Sequence, residues 1–208
     1  MAEMNQIEQM LSKYNLEISD QEVSEAVKKI IAEKVPQNDT TEVKKCLMGS
    51  VELTTLKTTD SETSVMAFTE KVNQFEEASP TLPHVATICV YPKFAKVVSE
   101  TLEVEGVEIA CVSGSFPSSQ SLIEVKTVET SLAVKDGATE IDIVMNVGAF
   151  LDGDFETVVD EIQHLKEASG DAAMKVILET GCLKTAKNIK IASISRSEER
   201  RVGKECRS

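Results

Sequence analysis

From residue 50 onward, short apolar runs alternate with amphipathic segments. The runs are VELTTL (51–56), VATICVY (85–91), EIACVSG (108–114), EIDIVMN (140–146) and AMKVILETG (173–181). Between them lie helix-like stretches at about 61–77, 93–104, 119–136 and 153–169. In the last stretch Phe155, Val158, Val159, Ile162 and Leu165 recur at helical spacing, so one face is apolar. Runs rich in Val and Ile, separated by helical segments, predict parallel βα units whose strands are covered by helices. Five such units are visible, and a sixth helix-like start, LKTAKNIKIASIS (183–195), comes after them.

Residues 1–48 read differently, as helix throughout with no chemistry-bearing motif. SDQE at 19–22 has the form of a capping box. Val23, Ala26, Val27, Ile30 and Ile31 then form one stripe, expected to stop near Pro36 and to cover apolar surface of the βα units. Two architectures fit the βα pattern: a doubly wound sheet or a (β/α)8 barrel. No G-x-G-x-x-G comes after the first run, and polar residues gather at the C-terminal ends of the strands, as in barrels. The fold class expected is therefore α/β, a partial TIM (β/α)8 barrel. It comprises the first five βα units over residues 49–195, with an N-terminal helical extension over residues 1–48.

Composition narrows the function. The 208 residues are 41% hydrophobic and 27% charged, ordinary for a globular domain, and the formal net charge is −13. Such a charge argues against nucleic acid or an anionic membrane as partner, but leaves room for a phosphorylated small molecule held by backbone N–H groups. No apolar run approaches membrane-spanning length, and the N-terminus lacks the pattern of a signal peptide. Cys46, Cys89, Cys111, Cys182 and Cys206 are odd in number and widely spaced, which predicts reduced thiols in a cytoplasmic protein. His84 and His164 stand at no ligand spacing from any of them, so no metal is expected.

The last thirteen residues, RSEERRVGKECRS (196–208), break the pattern. All four arginines, Arg196, Arg200, Arg201 and Arg207, fall there, whereas residues 1–195 hold seventeen lysines and no arginine. The stretch is similar to a translated DNA-sequencing adapter. It is expected to be a non-native tail on a polypeptide cut short, the alternative being a natural basic tail.

Alternation along a strand sends residues two apart to one face. Glu140, Asp142, Val144 and Asn146 share a face in one run; Lys175, Ile177 and Glu179 share a face in the next. The aliphatic residues between them suit contact with covering helices, which places Asp142 and Lys175 inside the barrel on adjacent strands. A carboxylate and an amine there must be paired. The plain alternative is a buried ion pair that only fixes strand register. The functional reading is a proton-transfer site with a carboxylate as acid–base and a lysine as nucleophile or electrostatic neighbour. Cys89 alone reads as a small buried hydrophobe, and Glu52 as a solvated or capping residue. SGSFPS (113–118) could offer N–H groups to an anion or be simply a loop.

Taken together, ELTTL, VATICVYP, the turn ending in FP, EIDIVMN and KVILETG, in that order, resemble deoxyribose-phosphate aldolase over about residues 45–195. The resemblance implies reversible cleavage of 2-deoxyribose 5-phosphate to acetaldehyde and glyceraldehyde 3-phosphate. It implies a lysine imine and no metal or organic cofactor. It makes Asp142 the proton donor and acceptor, and places Lys175, Cys89, Tyr91 and Glu52 in the substrate cavity. Glu52 stands where many members have aspartate. The family's imine-forming lysine lies on a sixth strand in a motif like F-x-K-T-S-T-G, with a second lysine on the seventh. Neither motif is present here, so this polypeptide is expected to be inactive by itself and its full-length form a homo-oligomer. Another Schiff-base barrel aldolase, or a non-catalytic binding fragment, are the rival expectations.

Overall fold

The computed structural model describes residues 6–197. In chain order the elements are α1 (Gln6–Leu11), α2 (Asp20–Asn38), α3 (Thr41–Met48), β1 (Glu52–Thr54), α4 (Glu62–Asn73), α5 (Phe75–Ala78) and β2 (Thr87–Val90). A 3-10 turn at Pro92–Phe94 leads into α6 (Ala95–Thr101), then β3 (Glu108–Ser113), α7 (Ile123–Lys135) and β4 (Glu140–Val144). The rest is α8 (Val147–Leu151), α9 (Phe155–Ser169), β5 (Ala173–Ile177), α10 (Thr180–Leu183) and α11 (Ala186–Ser197). Of the tail, only Arg196 and Ser197 are described, as the end of α11; residues 198–208, with Cys206, lie outside the described residues.

The five strands are all parallel and lie in the order β1-β2-β3-β4-β5. A doubly wound sheet reverses its strand order at a switch point; a barrel does not. Strictly sequential order therefore selects the partial barrel. The two sheet faces separate the side chains in the same way. Ile88, Val90, Ile109, Cys111, Ile141 and Ile143 join the main core with Val65, Val98, Val158, Ile162 and Leu165 of the helices. Cys89, Ala110 and Val112 form a second, smaller cluster on the opposite face with Leu56, Tyr91 and Phe116. Helices cover the first face; the second is the barrel interior.

Local chemistry explains the helix starts. Ser61 and Ser64 form a reciprocal cap on α4, Asp154 accepts from Thr157 N–H at the start of α9, and Ser19 with Glu22 closes the capping box of α2. Between α7 and β4 the chain turns through Gly137 at φ +110, where an added Cβ would sit 2.6 Å from Ser99 Oγ; only glycine fits.

The N-terminal extension departs from expectation in two ways. Helix α2 runs through Pro36 to Asn38 instead of stopping before it. Near the end of a helix the proline removes one hydrogen bond and the chain carries on for half a turn. More telling, α2 buries no residue at all: Val27, Ile30, Ile31 and Val35 are each about half exposed. Its N-terminal end rests on α11, where Asp20 Oδ1 accepts from Ala186 N–H, and the apolar stripe beyond covers nothing among the described residues. The covering role falls instead to α1, whose Met10 and Leu11 are buried.

Candidate active site

Register fixes the centre of the interior face. Asp142 on β4 is the lateral partner of Lys175 on β5, both facing away from the helices. Lys175 Nζ donates to Glu52 Oε2 on β1 and lies 2.8 Å from Glu140 Oε2 and 3.2 Å from Asp142 Oδ1. A short β-sheet curved far enough for β1 and β5 side chains to touch is already bent toward closure. One ammonium thus stands among three carboxylates contributed by β1 and β4.

The carboxylates are not equivalent. The Asp142 side chain is only 8% exposed, and its Oδ1 has no hydrogen-bond partner; the approach of Lys175 is a charge contact without the alignment of a hydrogen bond. Burial, then the neighbouring Glu52 charge, push the Asp142 carboxyl up to about 7, against the opposing pull of Lys175. Burial acts on Glu52 in the same sense, but the hydrogen bond and charge of Lys175 outweigh it and hold Glu52 below the usual carboxylate range. For Lys175, burial works against the charge; hydrogen bonds to Glu140 and Glu52 and the Asp142 charge prevail, and the amine is held protonated well above its ordinary range.

Cys89 adjoins this cluster from β2. Burial first, and then the charges of Glu52 and Asp142, push its thiol far up, so it stays protonated beside Glu52. Glu52, Cys89 and Asp142 bring ligand atoms within 4.8 Å of one another, a spacing compatible with a divalent cation. The thiol is protonated, however, and the Lys175 ammonium already occupies the carboxylates, so the residues present do not fit a metal. Tyr91, just past β2, donates from its hydroxyl to Leu56 O at 3.2 Å and sets its ring edge-on to Phe116, with centroids 6.3 Å apart. Those two rings pack on the interior face beside Cys89 and Val112.

Glu52, read from sequence as a solvated or capping side chain, is instead a direct partner of Lys175. Two residues expected on the interior face turn away from it. Strand β4 ends at Val144, and Asn146 caps α8 through Ala149 N–H while donating to Glu161 Oε1 at 2.9 Å. Strand β5 ends at Ile177, and Glu179 takes a left-handed conformation, φ 53, at the start of α10. Alternation holds only while the chain is a strand. Glu140 shares the Asp142 face by alternation alone, and the structure adds what alternation does not convey: it is one of the closest partners of Lys175. His84 lies in the loop before β2, and exposed His164 contacts Asp160 O through Nδ1 on α9.

A parallel barrel sheet with a carboxylate and a lysine on adjacent interior strands suits proton transfer beside a carbonyl. The family model described as DeoC/LacD family aldolase matches residues 48–202, which includes every residue of this cluster. The chain belongs to the DeoC/LacD aldolase family. The deoxyribose-phosphate aldolase of Brevibacillus brevis is 48% identical over 99 residues, 48% of this chain and 44% of that relative. A crystal structure from Coccidioides immitis shares the fold at a TM-score of 0.68 and 22% identity, covering 89% of this chain and 71% of that one. The deoxyribose phosphate aldolase of Aeropyrum pernix, described as a unique tetrameric structure, aligns at a TM-score of 0.55 and 24% identity, over 73% of this chain and 61% of that chain. The chain spans about half the length of the curated relatives it matches. Family membership and the five-strand partial barrel account for one another: the matched residues begin at the end of α3 and take in all five strands.

Proposed function

We propose that this chain supplies the acid–base part of a Schiff-base aldolase site that cleaves 2-deoxyribose 5-phosphate to acetaldehyde and glyceraldehyde 3-phosphate. One observation carries the reading: the buried Asp142 carboxyl, pushed up to about 7, lies 3.2 Å from the Lys175 ammonium on the barrel interior. A group poised near neutral pH both gives and takes a proton, as carbinolamine formation, dehydration and enamine protonation each require. Lys175 is held protonated, so it does not attack a carbonyl; its charge steadies the ionised form of Asp142 as the proton leaves. Glu52 and Glu140 hold the ammonium, and Tyr91 and Cys89 line the cavity. The nucleophilic amine comes from a strand beyond β5, as the family resemblance implies, and no organic cofactor or metal takes part.

No helix among the described residues is long and apolar enough to cross a membrane. Cys46, Cys89, Cys111 and Cys182 are free thiols, which supports a cytoplasmic setting. The tetrameric Aeropyrum pernix relative supports self-association of the complete enzyme.

The test has two arms. Borohydride reduction of the 208-residue chain with deoxyribose 5-phosphate, followed by peptide mass spectrometry, should leave Lys175 unmodified. A chimera that continues after β5 with the remaining strands of the Brevibacillus brevis enzyme should cleave deoxyribose 5-phosphate, and Asp142→Asn should slow it by about 10²–10⁴-fold. A trapped adduct on Lys175 relocates the nucleophile. An unimpaired Asp142→Asn chimera removes the acid–base role.

A further inference from the structure

Helix α7 sits on the middle of the sheet, against β3 and β4, with α9 on one flank and the Pro92–Phe94 turn on the other. Its inner face is fully used: Lys126, Thr130 and Ala133 are buried. Its outer face should therefore be polar. It is not. Leu122 at the N-cap is 73% exposed, and Val125, Val128 and Leu132 are 53%, 58% and 50% exposed. Val125, Val128 and Leu132 recur at three- and four-residue spacing, so they form one continuous ridge on the solvent side. A contiguous apolar ridge on a solvated helix marks an interaction surface. Further βα units cannot cover it, because they would extend the sheet beyond β1 or β5, whereas α7 faces outward from its centre with both flanks occupied.

We propose that the outer face of α7 is a self-association surface on which a second copy of this chain docks its own α7, antiparallel, across a two-fold axis. The charges beside the ridge select that occupant and that direction. Glu124, in the first turn, and Lys135, in the last, are both exposed and lie on the same side of the ridge. With the axis between Val128 and Glu129, Val125 meets the partner's Leu132. Glu124 then falls about 3 Å along the helix axis from the partner's Lys135, within reach of a lysine side chain. A parallel arrangement would instead leave Glu124 about 16 Å along the axis from the partner's Lys135, with no opposite charge to meet. The surface is thus complementary to itself in one orientation, the requirement of a two-fold interface. The ridge is a few hundred Å² at most, well short of a standard interface, so the pairing is weak and concentration-dependent. This inference extends the expectation of a homo-oligomer and is independent of catalysis; an inactive chain would still associate.

Sedimentation velocity of the 208-residue chain across a concentration series up to the high micromolar range tests it. The chain should move from monomer to dimer. Leu132→Glu and Val125→Glu, both exposed and so compatible with an unchanged circular dichroism spectrum and Tm, should each weaken the dimer by at least about tenfold. Glu124→Lys should weaken it by a few-fold, and Glu124→Lys with Lys135→Glu should recover it. A chain that stays monomeric throughout overturns the proposal. So does association that both ridge variants leave intact, which would place the contact elsewhere, such as at the edges of β1 and β5.

Discussion

Two lysines are drawn inside this molecule, and they do different work. Lys126 on α7 is completely buried: its Nζ lies 2.7 Å from Glu161 Oε2 and 3.0 Å from Ser119 Oγ, while Asn146 holds the other Glu161 oxygen. One cation meets one carboxylate, and Ser119 passes the network on to Val144 O. The arrangement is closed, and it ties the loop after β3 to the end of β4 and to α9. Lys175 is 42% exposed, shared by three carboxylates, and one of those keeps an unsatisfied buried oxygen. The first cluster is balanced and largely closed to water; the second carries excess negative charge and is partly open to it. Imbalance with access, more than the mere presence of a buried ion pair, distinguishes a reactive site from a structural clamp.

That contrast should appear first in stability. Lys126→Met leaves the partly buried Glu161 without its cation and should cost about 3 kcal/mol in urea unfolding. A cost below about 1 kcal/mol would mean the network is not the clamp described. Lys175→Met should cost less, about 1 kcal/mol, because water reaches the amine. Glu52 sits below the usual carboxylate range, so its contribution is present above its unfolded pKa and lost as pH falls through the folded value. The Lys175→Met penalty should therefore fade below a pH of about 4. A penalty larger than that of Lys126→Met would reverse the comparison.

Asp142→Asn should act with the opposite sign. Its carboxyl is raised to about 7, so the folded state holds an extra proton between an unfolded pKa of about 4 and that value. The wild type accordingly loses stability as pH rises through this window. The variant should match it near pH 4 and exceed its stability by up to about 4 kcal/mol at pH 8, about 1.4 kcal/mol for each pH unit of the window.

The sheet was legible from the chain because its five apolar runs and the helical stretches between them carry distinct periods. The Asp142–Lys175 pairing was legible because alternation and adjacency are enough to specify it. What failed lay at strand ends and on unpartnered helices. Asn146 and Glu179 continue the alternation in sequence, but the chain has left the strand by the time it reaches them. Helix α9 and helix α2 show the same kind of apolar stripe, yet Val158, Ile162 and Leu165 are buried while Val27, Ile30 and Ile31 are exposed. Periodicity identifies the apolar face of a helix and says nothing of what meets it. Lys126 escapes the sequence pattern for a related reason: a single lysine on a helix reads as surface, and only the carboxylate of a distant helix, at Glu161, gives it a buried partner.

Titration of the Asp142 carboxyl carbon by 13C NMR decides whether this carboxyl is poised for proton transfer. The midpoint should fall near 7 and move upward in Lys175→Met, where the opposing cation is lost. A midpoint near 4, the ordinary aspartate value, would contradict this and leave Asp142 as one more member of a structural ion pair.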